Sequence, residues 1–394
     1  MGFALRRLGH LVMLSFFKRK SIPDAHRRSL PFCLTFCTLF LFIESLNALC
    51  LLLDGLFFPR YRKVVLQAPI FIIGSPRSGK TTLQRLLASD GARFFCFRTW
   101  EIIFPAIIQK ALLAGIGALD RATGRHFYKL YLRWEARKLA LYREEDHAGL
   151  FFPEEDDKLL AHILASPELD LLFPYAGFED LLRLDTDVSP SDQHRIMQFY
   201  LRCVLRQAHL TGGDRYFLSQ TPLFSGAVEN LLRIFPDARF IYLVRSPLDV
   251  VPALIDFLGS IVRTRFAKGP GPDFEERLYQ ATKVFYQHPL EVLSSLPPDR
   301  FIAIRFESFV QQPQDIVRCI YERFGLPWTR VREQQVEALV DHLPTRDNGV
   351  AAKRTACSIS EERITTDLES IFRRFGFAMT TPVDDCPIPP SHSP

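Results

Sequence analysis

Ala68-Pro69-Ile70-Phe71-Ile72-Ile73 runs directly into Gly74-Ser75-Pro76-Arg77-Ser78-Gly79-Lys80-Thr81-Thr82, and Leu83-Gln84-Arg85-Leu86-Leu87-Ala88 follows. The first segment is a short apolar, β-branched run of the kind that forms a buried strand. The last has helical spacing. A glycine-bearing loop between such a strand and such a helix is the context a phosphate-binding loop needs. Its glycines let the backbone approach an anion, and the helix N-terminus turns free N–H groups and its positive dipole end toward it. Arg77 and Lys80 add charge, and Thr81 and Thr82 add hydroxyl donors. The expected fold is α/β: a P-loop-like three-layer arrangement with a central, mostly parallel sheet flanked by helices, plus an N-terminal hydrophobic helical extension.

The surrounding chain has 394 residues, 47% hydrophobic, 24% charged and 12% aromatic, which excludes a disordered chain. Twenty Gly and 27 Pro without a period exclude a collagen-like fibre, and eight Cys are too sparse for a disulfide scaffold. No C-x-x-C pair occurs, so a reducing interior is expected, without a metal site. Residues 1–64 hold ten Lys/Arg against three acids, a local +7, while the whole chain carries +5, which leaves −2 for the body. A near-neutral body argues against nucleic acid as a partner.

The phosphate loop fits two chemistries. Gly74 to Thr81 satisfies G-x-x-x-x-G-K-[ST], the pattern of kinases and triphosphatases that work with Mg²⁺. A second segment bears on the choice. Pro236-Asp237-Ala238-Arg239 reads as a turn and Phe240-Ile241-Tyr242-Leu243-Val244 as a strand; Arg245-Ser246-Pro247 then leads into a helix. Ligands of open α/β sheets lie beyond the carboxyl ends of the strands, so Arg245 is aimed at the ligand of the first loop. A triphosphatase strand would end in Asp to hold Mg²⁺, whereas Arg suits a second phosphate. A plain surface arginine is the competing reading.

Pro76-Arg77-Ser78-Gly79 followed by Thr81 resembles the loop with which PAPS-dependent sulfotransferases hold 3′-phosphoadenosine 5′-phosphosulfate (PAPS). Other stretches resemble the same family in order: Leu56 to Arg62 before the first strand, Trp100-Glu101 with Pro105, Pro153-Glu154-Glu155-Asp156 through Leu160, and Tyr216 to Pro222. Phe235 to Phe240, Arg305 to Phe309 and Tyr321 to Trp328 continue the series. Over residues 55–378 the chain resembles the mostly bacterial group related in pattern to protein-tyrosine sulfotransferases. The resemblance implies a sulfotransferase-like domain over residues 65–378. It implies transfer of a sulfo group from PAPS to a hydroxyl or amine of a carbohydrate, lipid, peptide or small molecule, with no metal required.

The resemblance also implies roles. Arg77, Ser78, Gly79, Lys80, Thr81 and Thr82 would hold the 5′-phosphosulfate, with Arg77 and Lys80 facing the charge that builds on the leaving phosphate. Arg245 would pair with the 3′-phosphate, and Glu101 would take the acceptor proton. On the residues alone, Glu101 also reads as a helix cap. His147 is a second candidate base, and Glu155-Asp156 read as a solvated face or as charge at a helix N-terminus. Three positions depart from the family pattern: Lys80 replaces a Thr, Ala253 a Ser, and Gln220 a Lys. One Lys gained and one lost in a single expected pocket suggests that Lys80 supplies the charge Gln220 lacks. A Mg²⁺-dependent kinase or triphosphatase, and a catalytically degenerate PAPS-binding protein, are the alternatives.

Ala106 to Tyr142, Gln193 to His209 and Phe274 to Leu293 read as helices covering the sheet. The resemblance implies that Lys353 and Arg354 would close over the 3′-phosphate as a late basic loop, with a solvated basic loop as the equal alternative; residues 379–394 read as a disordered, proline-rich tail. Leu30 to Leu53 is long and apolar enough to cross a bilayer, but Glu44, Ser45 and Asn47 interrupt it. The basic clusters of the 1–64 extension suit anionic headgroups. Spanning, peripheral contact and packing on the body all stay open, so residues 1–54 are the candidate membrane contact of a protein in the cytoplasm or at the cytoplasmic face of a membrane.

Overall fold

The computed structural model describes residues 2–22, 27–138, 149–212, 214–265, 273–341 and 357–378. His147, Lys353, Arg354 and the 379–394 segment lie outside the described residues. Helices α1 (Gly2–Val12) and α2 (Leu30–Phe57) precede β1 (Ile70–Ile73) and α3 (Lys80–Ala88). Next come β2 (Phe94–Phe95), α4 (Thr99–Ile103), α5 (Ile107–Ala122), α6 (His126–Lys138), a 3₁₀ segment over Asp156–Ile163, the short α7 (Leu184–Asp187) and α8 (Pro190–Thr211). The second half supplies β3 (Tyr216–Gln220), α9 (Val228–Ile234), β4 (Arg239–Val244), α10 (Pro247–Arg265), α11 (Phe274–Leu293), β5 (Phe301–Arg305) and α12 (Phe306–Gln311).

The five strands are all parallel, in the order β2-β3-β1-β4-β5. Phe71 of β1 lies opposite Ser219 of β3 and Phe240 of β4, so β1 is central and its carboxyl end opens where the chain passes to either side. Alternation of side chains splits β1 between two cores. Phe71 and Ile73 join Phe217, Phe240 and Tyr242 on one face, and Ile70 and Ile72 join Leu83, Leu218 and Ile241 on the other. Phe71 is ringed by Phe217, Phe224, Phe235 and Phe240 at 5.5–6.2 Å between centroids. Burial of such a side chain contributes about 2–3 kcal/mol, so these rings pin the strand that carries the loop.

The expected helix over Ala106 to Tyr142 is broken within its described part. α5 and α6 are separated at Thr123-Gly124-Arg125, where Gly124 (φ 100°) and Arg125 (φ 59°) turn left-handed. Asp120, at the end of α5, accepts from the backbone N–H of Phe127 and Tyr128 and so caps α6. Helices α1 and α2 share the core of the Phe71 face, through Phe3, Leu8, Leu11, Cys33 and Cys37.

Candidate active site

The loop Gly74–Gly79 leaves β1 and becomes α3 through three left-handed residues, Gly74 (φ 129°), Arg77 (φ 58°) and Gly79 (φ 82°). Such alternation curls successive N–H groups inward into an anion-binding concavity. A Cβ on Gly79 would stand 2.9 Å from the Phe306 ring, so the loop and α12 are closely apposed. Ser78 Oγ donates to the carbonyl of Ser75 at 2.7 Å. Lys80 is only 4% exposed, and its Nζ donates to the same carbonyl at 2.5 Å and to Ser78 Oγ at 3.3 Å. Thr81 and Thr82 lie half-buried on the first turn of α3.

Arg245 follows β4 directly. Its Nη1 donates to the carbonyl of Arg77 at 3.2 Å, its guanidinium lies over the Phe306 ring at 4.7 Å, and its carbonyl accepts from Tyr286 Oη at 2.7 Å. Its Nε is buried without a hydrogen bond among the described residues, 3.7 Å from Asp249. Arg77 is exposed, with its guanidinium over Phe257 at 5.1 Å. The expected loop residues and Arg245 therefore share one rim. A concave loop, two arginines at its edge and an unsatisfied buried guanidinium nitrogen fit a ligand carrying phosphate on two sides.

Across the loop lies a group of residues that the sequence reading placed elsewhere. Glu155 and Asp156 are not a solvated run. Asp156 is 1% exposed and accepts from Ser219 Oγ at 2.9 and 3.0 Å, from the backbone N–H of Gln220 at 3.2 Å, and from Tyr200 Oη. The donors sit on α8 and at the end of β3, 44 to 64 residues away, so nothing local marks the acid as buried. Glu155 is half-buried, and its Oε1 accepts from Gln220 Nε2 at 3.4 Å. Burial lowers the Lys80 ammonium to about 8, and the charge of Glu155 partly opposes this. Burial raises the Glu155 carboxyl, opposed mainly by Lys158 and then by Lys80. Glu155 thus meets Gln220 and lies near enough to Lys80 for their charges to act on each other. The one available signal was the Pro153-Glu154-Glu155-Asp156 pattern itself.

Glu101 stands in α4, where both of its oxygens are engaged. Oε2 accepts from the Arg98 N–H at 2.8 Å, closing a capping box, and Oε1 accepts from Gln207 Nε2 at 2.8 Å.

Burial raises Asp156 to about 6, above the ordinary 3.8, against the hydrogen bonds from Tyr200 and Ser219. A carboxyl raised in the folded state contributes stability fully below about pH 4, and this is lost as pH rises through about 6. Between those limits Asp156→Asn should flatten the pH dependence by on the order of 3 kcal/mol. Urea midpoints of parent and variant at pH 4.5 and 7 check this, and parallel pH dependences would refute it.

The fold is a parallel α/β sheet whose central strand passes through a left-handed, glycine-bearing loop into a helix. Residues 69–330 match the sulfotransferase family, and the chain belongs to that family. It is a sulfotransferase, transferring a sulfo group, and the family implies PAPS as donor. The chain is 25% identical over 366 residues to omega-hydroxy-beta-dihydromenaquinone-9 sulfotransferase Stf3 of Mycobacterium bovis, over 88% of this chain and 85% of that one. Its fold matches the crystal structure of sulfotransferase STF9 from Mycobacterium avium with a TM-score of 0.70, at 17% identity, over 94% of each chain. STF1 from Mycobacterium tuberculosis matches at a TM-score of 0.62 and 15% identity, over 93% of this chain and 92% of that one.

Proposed function

We propose that the enzyme transfers a sulfo group from PAPS to an acceptor hydroxyl, with Glu155 taking the acceptor proton. The observation that carries this is the meeting of Lys80, Glu155 and Gln220 beside the phosphate loop. PAPS supplies a sulfo group on a phosphate leaving group. Arg77, Ser78, Gly79, Lys80, Thr81 and Thr82 hold the 5′-phosphosulfate end, where charge builds on the leaving phosphate. Arg245 holds the 3′-phosphate, and its orphaned Nε supports that role. Glu155 is preferred over Glu101 as base because its carboxyl is raised by burial toward the range in which it accepts and returns a proton. Both Glu101 oxygens already hold α4 in place. The charge of Glu155 acts on Lys80 of the loop, and Gln220 donates to Glu155 from the end of β3, which supports Lys80 as the replacement for the family lysine.

The acceptor class is an alcohol or amine; the relative Stf3 is named for a hydroxy compound, which favours an alcohol. We place the enzyme in the cytoplasm or at the cytoplasmic face of a membrane.

A labelled-PAPS transfer screen over alcohols and amines tests the activity. In it, Lys80→Ala should lose about 10²-fold in rate. A variant as fast as the parent would sink the compensation by Lys80. Only the charged ammonium attracts phosphate, and burial holds Lys80 near 8. Affinity for 3′,5′-ADP should therefore be level up to about pH 7.5 and fall by up to tenfold per unit above about 8. Calorimetry without Mg²⁺ reads this, and the slope should vanish in Lys80→Ala.

A further inference from the structure

Helix α2 is built inside out. Among the described residues it is the one helix long and apolar enough to cross a membrane, yet only 11% of its most apolar window is buried. Glu44, Asn47 and Asp54, though not Ser45, face the protein. Asp54 is fully buried, accepts from Arg206 Nε at 2.9 Å, and caps α5 through the N–H groups of Ile107 and Ile108 at 2.8 and 3.0 Å. Asn47 Oδ1 accepts from Gln109 Nε2 of α5 at 2.7 Å. Glu44 lies 2.8 Å from His162 Nδ1, while His162 Nε2 meets the carbonyl of Ile102 at 2.8 Å. Burial alone would lower His162, but the hydrogen bond and charge of Glu44 outweigh it and raise the imidazole, and the Glu44 carboxylate has this partner inside the protein.

The apolar side chains face outward instead: Phe42 is 71% exposed, Leu52 67% and Leu56 70%. The adjoining helices repeat the pattern. On α5, Leu112, Ile116 and Leu119 are exposed at helical spacing, and on α6 Phe127, Leu130 and Trp134 are exposed. Tyr128 and Tyr131 of α6 carry this surface onto Phe151, at 6.1 and 5.6 Å between ring centroids, four residues before Glu155. A soluble surface does not collect rows of large apolar side chains on three neighbouring helices while turning its carboxylates inward.

Charge identifies what covers this face. Exposed Lys18 and Lys20 precede α2, and exposed Arg60 and Lys63 follow it. Exposed Arg125 and Lys129 stand at the start of α6. An apolar strip ended and edged by cations matches the acyl boundary and anionic headgroups of one leaflet. Spanning does not fit. At about 1.5 Å per residue α2 is about 42 Å long, and it holds the body along that length, from Phe36 against Phe173 (4.7 Å) to Asp54 on Arg206. Crossing the bilayer would strip Glu44, Asn47 and Asp54 of their partners and strand Arg206.

We propose that α2, α5 and α6 form a docking face that lies in the plane of an anionic membrane surface, entering one leaflet without crossing it. The face adjoins the loop that carries Glu155, so the acceptor reaches it from beside the bilayer, a consequence that rests on the reading of Glu155 as the base.

The full chain, purified in mild detergent and added to preformed vesicles, tests this. It should float with vesicles of 30% phosphatidylglycerol in phosphatidylcholine, and several-fold less with phosphatidylcholine alone. Leu52→Glu and Leu112→Glu, both at exposed positions, should each cut the bound fraction at least tenfold while leaving thermal stabilisation by 3′,5′-ADP unchanged. Lys20→Cys and Lys63→Cys should both react with an impermeant maleimide outside the vesicles, above the background of the native cysteines. Three results would overturn the proposal: protein that stays off the vesicles and runs as a dimer covering this face, glutamate variants that float like the parent, or one end of α2 shielded inside the vesicle.

Discussion

Glu155→Gln should transfer sulfate 10²- to 10³-fold more slowly than the parent while binding 3′,5′-ADP with the same affinity. The amide keeps the size of the side chain and an oxygen to accept from Gln220 Nε2, now at 3.4 Å from Glu155 Oε1. What it loses is the capacity to take a proton. The loss should therefore fall on kcat and leave donor binding intact. Glu101→Gln separates the two acids. It weakens a capping box closed on Arg98 and should cost about 0.5–2 kcal/mol of stability with little change in turnover. Single-turnover transfer and calorimetry on both variants decide. A fast Glu155→Gln beside a dead, folded Glu101→Gln would move the base to α4.

Gly74→Ala should fail to accumulate as folded protein. Gly74 holds φ 129°, which L-residues rarely adopt, and a Cβ there would lie 2.2 Å from the carbonyl oxygen of Leu243 on β4. That oxygen belongs to the backbone of a strand buried from Phe240 to Val244 and has no room to withdraw. Strain and overlap together should cost about 4 kcal/mol or more, a large share of the stability of an ordinary domain. Gly91→Ala is the control, since nothing lies within 4 Å of its Cβ position, and should stay within about 0.5 kcal/mol of the parent. Soluble yield and thermal midpoint read both. A Gly74→Ala protein that melts like the parent would mean that the loop does not lock against β4.

The loop and its strand were legible because every signal there is local. An apolar β-branched run, two glycines and a helical pattern fall within about twenty residues, and the structure returns β1, the left-handed loop and α3 in that order. Arg245 was legible for a topological reason: a residue just past a parallel strand neighbouring β1 must face the same edge of the sheet. The break between α5 and α6 was within reach, since Gly124 sits at it, but the apolar residues on either side hid it. Glu155 and Asp156 were not within reach. Four acidic residues in a row read as solvated, and the hydroxyls and amide that donate to them belong to α8 and the end of β3.

By itself the sequence determined the parallel α/β architecture, the strand–loop–helix segment, the placement of Arg245 beside that loop and the family pattern, because each rests on residues close along the chain. Tertiary structure alone decided which carboxylates are buried in the site and which way α2 faces. Both depend on partners brought together from distant segments: Gln220 and Lys80 for Glu155, and Arg206, Gln109 and His162 for the polar residues of α2. An acid in a chain reads as surface until a buried donor meets it, and that meeting is made only by packing.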